Sequence, residues 1–136
     1  MFEIAGIDKI GNPKEYSPLV LAYIGDAVYE ILVRQYIVSC GNAPVNVLNR
    51  RARGIVNAAA QSAAYEKIKD MLTQEEEAVY RRGRNAKSHT AAKNQSISDY
   101  RRATGVEALF GFLYLEGKND RINELFGRCI VDEVNQ

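Results

Sequence analysis

Two segments of this chain place a carboxylate inside a stretch that reads as a core helix. Asp26 lies within LAYIGDAVYEILV and Glu107 within ATGVEALFGFLYL. A lone charge buried in such a helix is costly unless it is paired, neutralised or bound to a cation. Glycines accompany both acids: Gly25 precedes Asp26, and Gly105 and Gly111 flank Glu107. Glycine in a helix interior costs about 1 kcal/mol relative to alanine, so each marks a place where another backbone or a substrate phosphate comes close. Taken singly, each acid is accounted for as a structural carboxylate paired with an arginine or a helix N-terminus. Taken together, with glycines beside both, they are accounted for equally well by one divalent cation held between two packed helices.

The remaining pattern predicts helices only. Residues 1–15, with Gly6, Gly11 and Pro13, read as a lead-in to a single domain over 16–136. Ser17 followed by Pro18 is an N-cap with proline at the first helical position. It opens a helix to about Val38, which Gly41 stops. The first half of that helix is apolar almost all round (Leu19, Val20, Ala22, Ile24, Ala27, Val28, Ile31, Leu32), as expected at the centre of a bundle. Pro44 opens a second helix over 44–69, with Arg50, Arg51 and Arg53 near its middle. Thr73-x-x-Glu76 is a capping box for a short third helix that stops near Gly83. Residues 83–97 hold no sustained apolar period and should be partly loop, with room for one short helix. Ser96 or Ser98 caps a helix over about 98–116, ended by Gly117. Asn119 starts the last one, where Ile122, Leu125, Phe126, Cys129 and Ile130 follow helical spacing. No segment alternates with period two, so the expected fold is an all-α bundle.

Composition narrows the function classes. A chain of 136 residues suits one domain around one core. A net charge of +1 gives no global sign of a nucleic-acid partner, so any such signal must be local. Glu30 and Arg34 interrupt the longest apolar run, so no membrane span is expected, and the N-terminus lacks a signal-peptide core. Cys40 and Cys129 are too few for a disulfide framework, and one histidine makes a Cys/His zinc site a poor fit. Both thiols read as reduced, in a cytoplasmic protein.

The local signal is a basic segment. Between Glu77 and Asp99 there is no acid, while Arg81, Arg82, Arg84, Lys87 and Lys93 fall there, interleaved with Asn85, Ser88, Thr90, Asn94 and Gln95. Cations beside amides and hydroxyls suit a phosphate backbone with its sugar hydroxyls; a solvated basic loop has the same composition. Arg101 and Arg102 carry the positive run to the Glu107 helix. His89, within it, reads as a solvated side chain. Most of Tyr23, Tyr29, Tyr36 and Tyr114 read as core packing on their helices.

With these residues in view, YIGDAVYE resembles the signature helix of ribonuclease III, approximately LEFLGDAVL, and TGVEALFGFLYLEG resembles its second acidic motif, approximately DVFEAxxGAxYLDG. Order, spacing and the intervening RRGRNAKS are similar to the short Mini-III ribonucleases, which lack a separate double-stranded-RNA-binding domain. The resemblance spans residues 16–134. It implies a ribonuclease III endonuclease-like bundle in which Asp26 and Glu107 are metal ligands and catalytic residues. It further implies a Mg²⁺ cofactor, with Mn²⁺ able to substitute, and a homodimer with an aromatic contact at Tyr23. The implied activity is endonucleolytic cleavage of double-stranded RNA to 5′-phosphate and 3′-hydroxyl ends, in maturation of the 23S ribosomal RNA precursor. The segment holding Arg81, Arg82, Arg84, Asn85, Lys87 and Lys93 then supplies the RNA grip. Three family acids are replaced here: two fall on Leu19 and Ala22, and one on Thr104, as in the Mini-III enzymes. The alternative is a non-catalytic RNA-binding module of the same fold. Such modules typically lose the metal acids, which this chain keeps. A third class, an all-helical nucleotide phosphohydrolase, wants a His-Asp pair or ExxE clusters on core helices. The one acidic cluster, Glu75 to Glu77, reads instead as a helix cap.

Overall fold

A computed structural model describes residues 2, 4–6, 10–87 and 96–130 of the chain. The described residues form helices α1 (Pro18–Ser39), α2 (Val45–Ile55), α3 (Ala58–Ile68), α4 (Gln74–Asn85), α5 (Ile97–Leu115) and α6 (Asn119–Cys129), with single 3-10 turns at Pro13–Glu15 and Lys69–Met71. Among them there is no strand, so the expected all-α bundle is found. The caps are largely those the sequence signals. Ser17 Oγ accepts from Val20 N at 3.3 Å, Ser96 Oγ accepts from Asp99 N at 3.0 Å, and both bonds of the Thr73–Glu76 capping box form. Gly41 and Gly117 take the left-handed backbone (φ 121° and 74°) that ends α1 and α5 without a Cβ clash.

The centre of the bundle is α5, not α1. From Ala103 to Leu113 every residue except Glu107 is buried. The first helix buries only Leu21, Ala22, Gly25, Val28, Tyr29, Val33 and Ile37. Leu19, Val20, Tyr23, Ile31 and Val38 remain exposed, Tyr23 at 83%. An all-round apolar helix therefore has one face on α5 and the other uncovered in the protomer. The core between α1, α5 and α6 is tied by Tyr29, whose ring meets Phe110 and Phe126 edge-on at 5.3 and 5.6 Å.

Two further expectations are corrected. The single helix over 44–69 is broken into α2 and α3 at Val56–Asn57. Val56 leaves helical geometry (ψ 83°). Asn57 then caps both ends: its Oδ1 accepts from Ala60 N at 2.8 Å, and its Nδ2 donates to Arg53 O at 2.9 Å. Likewise α4 does not stop at Gly83 but runs to Asn85. Gly83 is there for packing, since a Cβ on it would lie 2.7 Å from Ala108 Cβ and 3.0 Å from Gly105 Cα.

Candidate metal centre

The site is built by a helix crossing. A Cβ on Gly25 would fall 1.6 Å from the carbonyl oxygen of Glu107, and one on Gly111 2.0 Å from that of Leu21. Helices α1 and α5 therefore touch backbone to backbone, at the residue next to Asp26 and at Glu107 itself. Gly25 and Gly111 admit the opposite helix rather than a substrate phosphate, while Gly105 admits Tyr80 of α4. Their position fixes where the two carboxylates meet.

The carboxylates occupy unequal environments. Asp26 is exposed, so the burial expected for both acids holds only for Glu107, which is half-buried. Burial, a hydrogen bond to Asp26 and the charge of Asp26 together push the Glu107 carboxyl up to about 8. Without a cation, this setting favours the protonated form of Glu107. Two acids brought together fit a cation site: hard oxygen donors converge where, among the described residues, no positive charge is set against Glu107. Among the described residues, no group of three or more His, Cys, Asp or Glu is placed to hold a metal. The pair therefore stands as a two-acid centre. The positions matching family acids carry other roles: Ala22 is buried, Leu19 is exposed, and Thr104 Oγ1 donates to Tyr100 O at 3.0 Å.

Glu107 also forms part of the wall of a cleft of about 180 Å³ lined by Asn57, Ala58, Gln61, Tyr100, Ala103 and Thr104. Gln61 is a buried amide that sequence reasoning passed over. Its signal was available: one glutamine beside one serine within the alanine run AAAQSAAY.

The basic residues do not share one surface. Arg81, Arg82, Arg84 and Asn85 lie on the last turns of α4, not in a loop. On the helix Arg81 neighbours both Arg84 and Asn85, whereas Arg82 neighbours only Asn85. Arg81 Nε lies 3.3 Å from Glu77, and Arg84 Nε donates to Asn85 Oδ1 at 3.1 Å, with its guanidinium 5.9 Å from the centre of the Tyr80 ring. Arg82 instead donates to Tyr16 O at 3.2 Å, pinning the segment that leads into α1. Lys87 is exposed, as is Arg101. Lys93 and His89 lie outside the described residues.

Comparison with known proteins matches this arrangement to one family. The Ribonuclease III domain profile matches residues 19–118. The chain is 49% identical over 127 residues to the Mini-ribonuclease 3 of Enterococcus faecalis, covering 90% of this chain and 96% of that protein. It is 50% identical over 113 residues to that of Clostridium tetani, covering 82% and 75%. A crystal structure of a Fusobacterium nucleatum protein superposes with a TM-score of 0.79 at 31% identity, covering 87% of this chain and 96% of that one. With both acidic motifs inside the matched region and meeting at one crossing, the chain belongs to the ribonuclease III family and sides with its Mini-ribonuclease 3 members.

Proposed function

We propose that the protein is a Mg²⁺-dependent endoribonuclease that cleaves double-stranded RNA, with 23S ribosomal RNA precursor as its substrate and 5′-phosphate and 3′-hydroxyl ends as its products. The observation that carries this reading is the Asp26–Glu107 pair, two carboxylates held together by a glycine crossing and short of positive charge. Mg²⁺, or Mn²⁺ in its place, would be held by these two groups. Bound there, a divalent ion supplies Lewis acidity to a phosphoryl oxygen and lowers the pKa of a water. Asp26 presents its oxygens from the exposed face of α1, where a duplex can approach. Glu107 anchors the site from the half-buried wall of α5. The cations near the end of α4 and the start of α5, the exposed Arg81, Lys87 and Arg101 and the half-buried Arg84, position the phosphate backbone.

A homodimer completes the reading. The uncovered stripe of α1 runs through Val20, Tyr23 and Ile31 at helical spacing and adjoins Asp26, three residues from Tyr23. A two-fold axis along it would bring two acidic sites to the two strands of one duplex. A stable interface of this kind buries on the order of 2,000 Å² in total. No helix among the described residues is long and apolar enough to cross a membrane, and a cytoplasmic location is part of the proposal. The non-catalytic alternative draws no support from a chain that keeps both acids in contact.

Incubation with duplex RNA, with and without Mg²⁺, tests the proposal. Cleavage that needs Mg²⁺ and vanishes in Asp26→Asn is expected. Duplex binding without cleavage in any divalent ion would favour the binding module.

A further inference from the structure

We propose that Gln61 is a positioning residue for the metal centre, its amide N–H orienting the Glu107 carboxylate from the wall of the shared cleft. The inference rests on the reading of Asp26 and Glu107 as metal ligands and extends it to a third helix. Gln61 sits on α3, which packs along α5 and buries Ala58, Ala64 and Ile68. The residue is only 4% exposed, and its Nε2 has no hydrogen-bond partner. A buried amide donor left unpaired costs roughly 1–3 kcal/mol, so its persistence beside Glu107 calls for a partner that arrives in another state of the site.

The neighbouring donors point to which group that is. Along the same cleft, Thr104 Oγ1 is engaged with Tyr100 O at 3.0 Å and Asn57 Nδ2 with Arg53 O at 2.9 Å. Tyr100 also has a partner of its own. Gln61 Nε2 is the donor left over among these described residues. A carboxylate has two oxygens with several lone pairs. A cation held by Glu107 would leave the rest of that half-buried carboxylate in need of a hydrogen bond. Gln61 Nε2 has essentially no exposed surface, so RNA does not reach it without rearrangement, whereas Glu107 lines the same cleft. Partners of this kind, one bond removed from the metal, fix ligand orientation, and losing one weakens metal binding by about 10–100-fold.

The test uses the full chain with Gln61→Leu and Gln61→Met, the second close to glutamine in length in case leucine packs poorly. Mn²⁺ affinity is measured by electron paramagnetic resonance, with thermal melting of the metal-free protein and duplex-RNA affinity in chelator as companions. The inference predicts Mn²⁺ binding weakened about 10–100-fold, melting unchanged or raised because an unpaired donor is removed, and metal-free RNA affinity unchanged. Wild-type Mn²⁺ affinity in a folded variant overturns the inference while leaving the two-acid site intact. Loss of metal-free RNA affinity overturns it in favour of a direct RNA contact. Absence of Mn²⁺ binding by the wild type, or undiminished binding by Glu107→Gln, overturns the underlying site and the inference with it.

Discussion

Glu76 and Glu107 are two glutamates withdrawn from solvent on two helices of one bundle, and they are held in opposite ways. Glu76 accepts from Arg121 Nε at 2.9 Å, from Arg121 Nη2 at 2.8 Å and from Thr73 N at 2.9 Å. Burial pushes its carboxyl up, but these bonds outweigh burial and leave it below the ordinary carboxylate range. Among the described residues no cation plays that role for Glu107; burial and Asp26 drive it up to about 8. The first is a finished structural carboxylate, closing α4 onto α6. The second is an unfinished one. The difference shows what a buried acid looks like when its counter-charge is built into the protein and when it must come from outside.

The largest expected effect is on cleavage. Asp26→Asn and Glu107→Gln should each lower the rate by at least 10²–10³-fold, on the order of what one such electrostatic contribution supplies, with folding retained. Glu76→Gln, measured in parallel at a temperature where it is folded, should keep a rate near wild type. Equal losses in all three would erase the distinction between the two glutamates.

Stability should divide them the other way. Glu76→Gln removes one partner of a buried ion pair whose side chains are 6% and 22% exposed. That should cost about 3 kcal/mol in denaturant unfolding. Glu107→Gln should instead stabilise the metal-free protein at pH 8, by roughly 1–3 kcal/mol. The signs follow from the shifts. Glu107 is raised on folding, so its contribution is full below its ordinary value of 4.5 and lost as pH rises towards about 8. Glu76 is lowered, so its contribution is present above the ordinary range and lost as pH falls through its folded value. Unfolding free energies across pH 3–9 (roughly the span of both titrations), without divalent ions, check both slopes. An alkaline decline that survives in Glu107→Gln would assign it to another group.

The smallest effect on chemistry should come from the basic end of α4. Replacing Arg84 and Lys87 by alanine should flatten the salt dependence of duplex binding by roughly one log–log unit for every phosphate left without its cation. The saturated single-turnover rate should stay within about tenfold, or 1.4 kcal/mol. Arg82→Ala should leave the slope unchanged, because that side chain is spent on Tyr16 O. A flattened slope for Arg82→Ala would return it to the RNA surface.

Helix identity and most ends were legible because Ser17, Thr73, Ser96, Gly41 and Gly117 write them locally. The break at Asn57 was masked, since Val56 continues the apolar series across the local signals of Gly54 and Asn57. The centrality of α5 over α1 was also hidden: both are apolar on most faces, and only tertiary packing decides which faces are covered. The acids stood out because charge in an apolar helix is rare, but their unequal exposure depends on the angle of the crossing. Gln61 stood visible in its alanine run, but its missing partner is seen only in the fold. Continuing α4 past Gly83 needed the close approach of Gly105, which is far from it in sequence.

The central claim is that Asp26 and Glu107 form a cation site awaiting its charge. Calorimetric titration of Mg²⁺ or Mn²⁺ into the wild type, Glu107→Gln and Glu76→Gln at pH 7, in two buffers of different ionisation enthalpy, tests it directly. Binding that releases a proton in the wild type, is lost in Glu107→Gln and persists in Glu76→Gln is the predicted result. Equal binding by wild type and Glu107→Gln, or binding with no proton released, would contradict it.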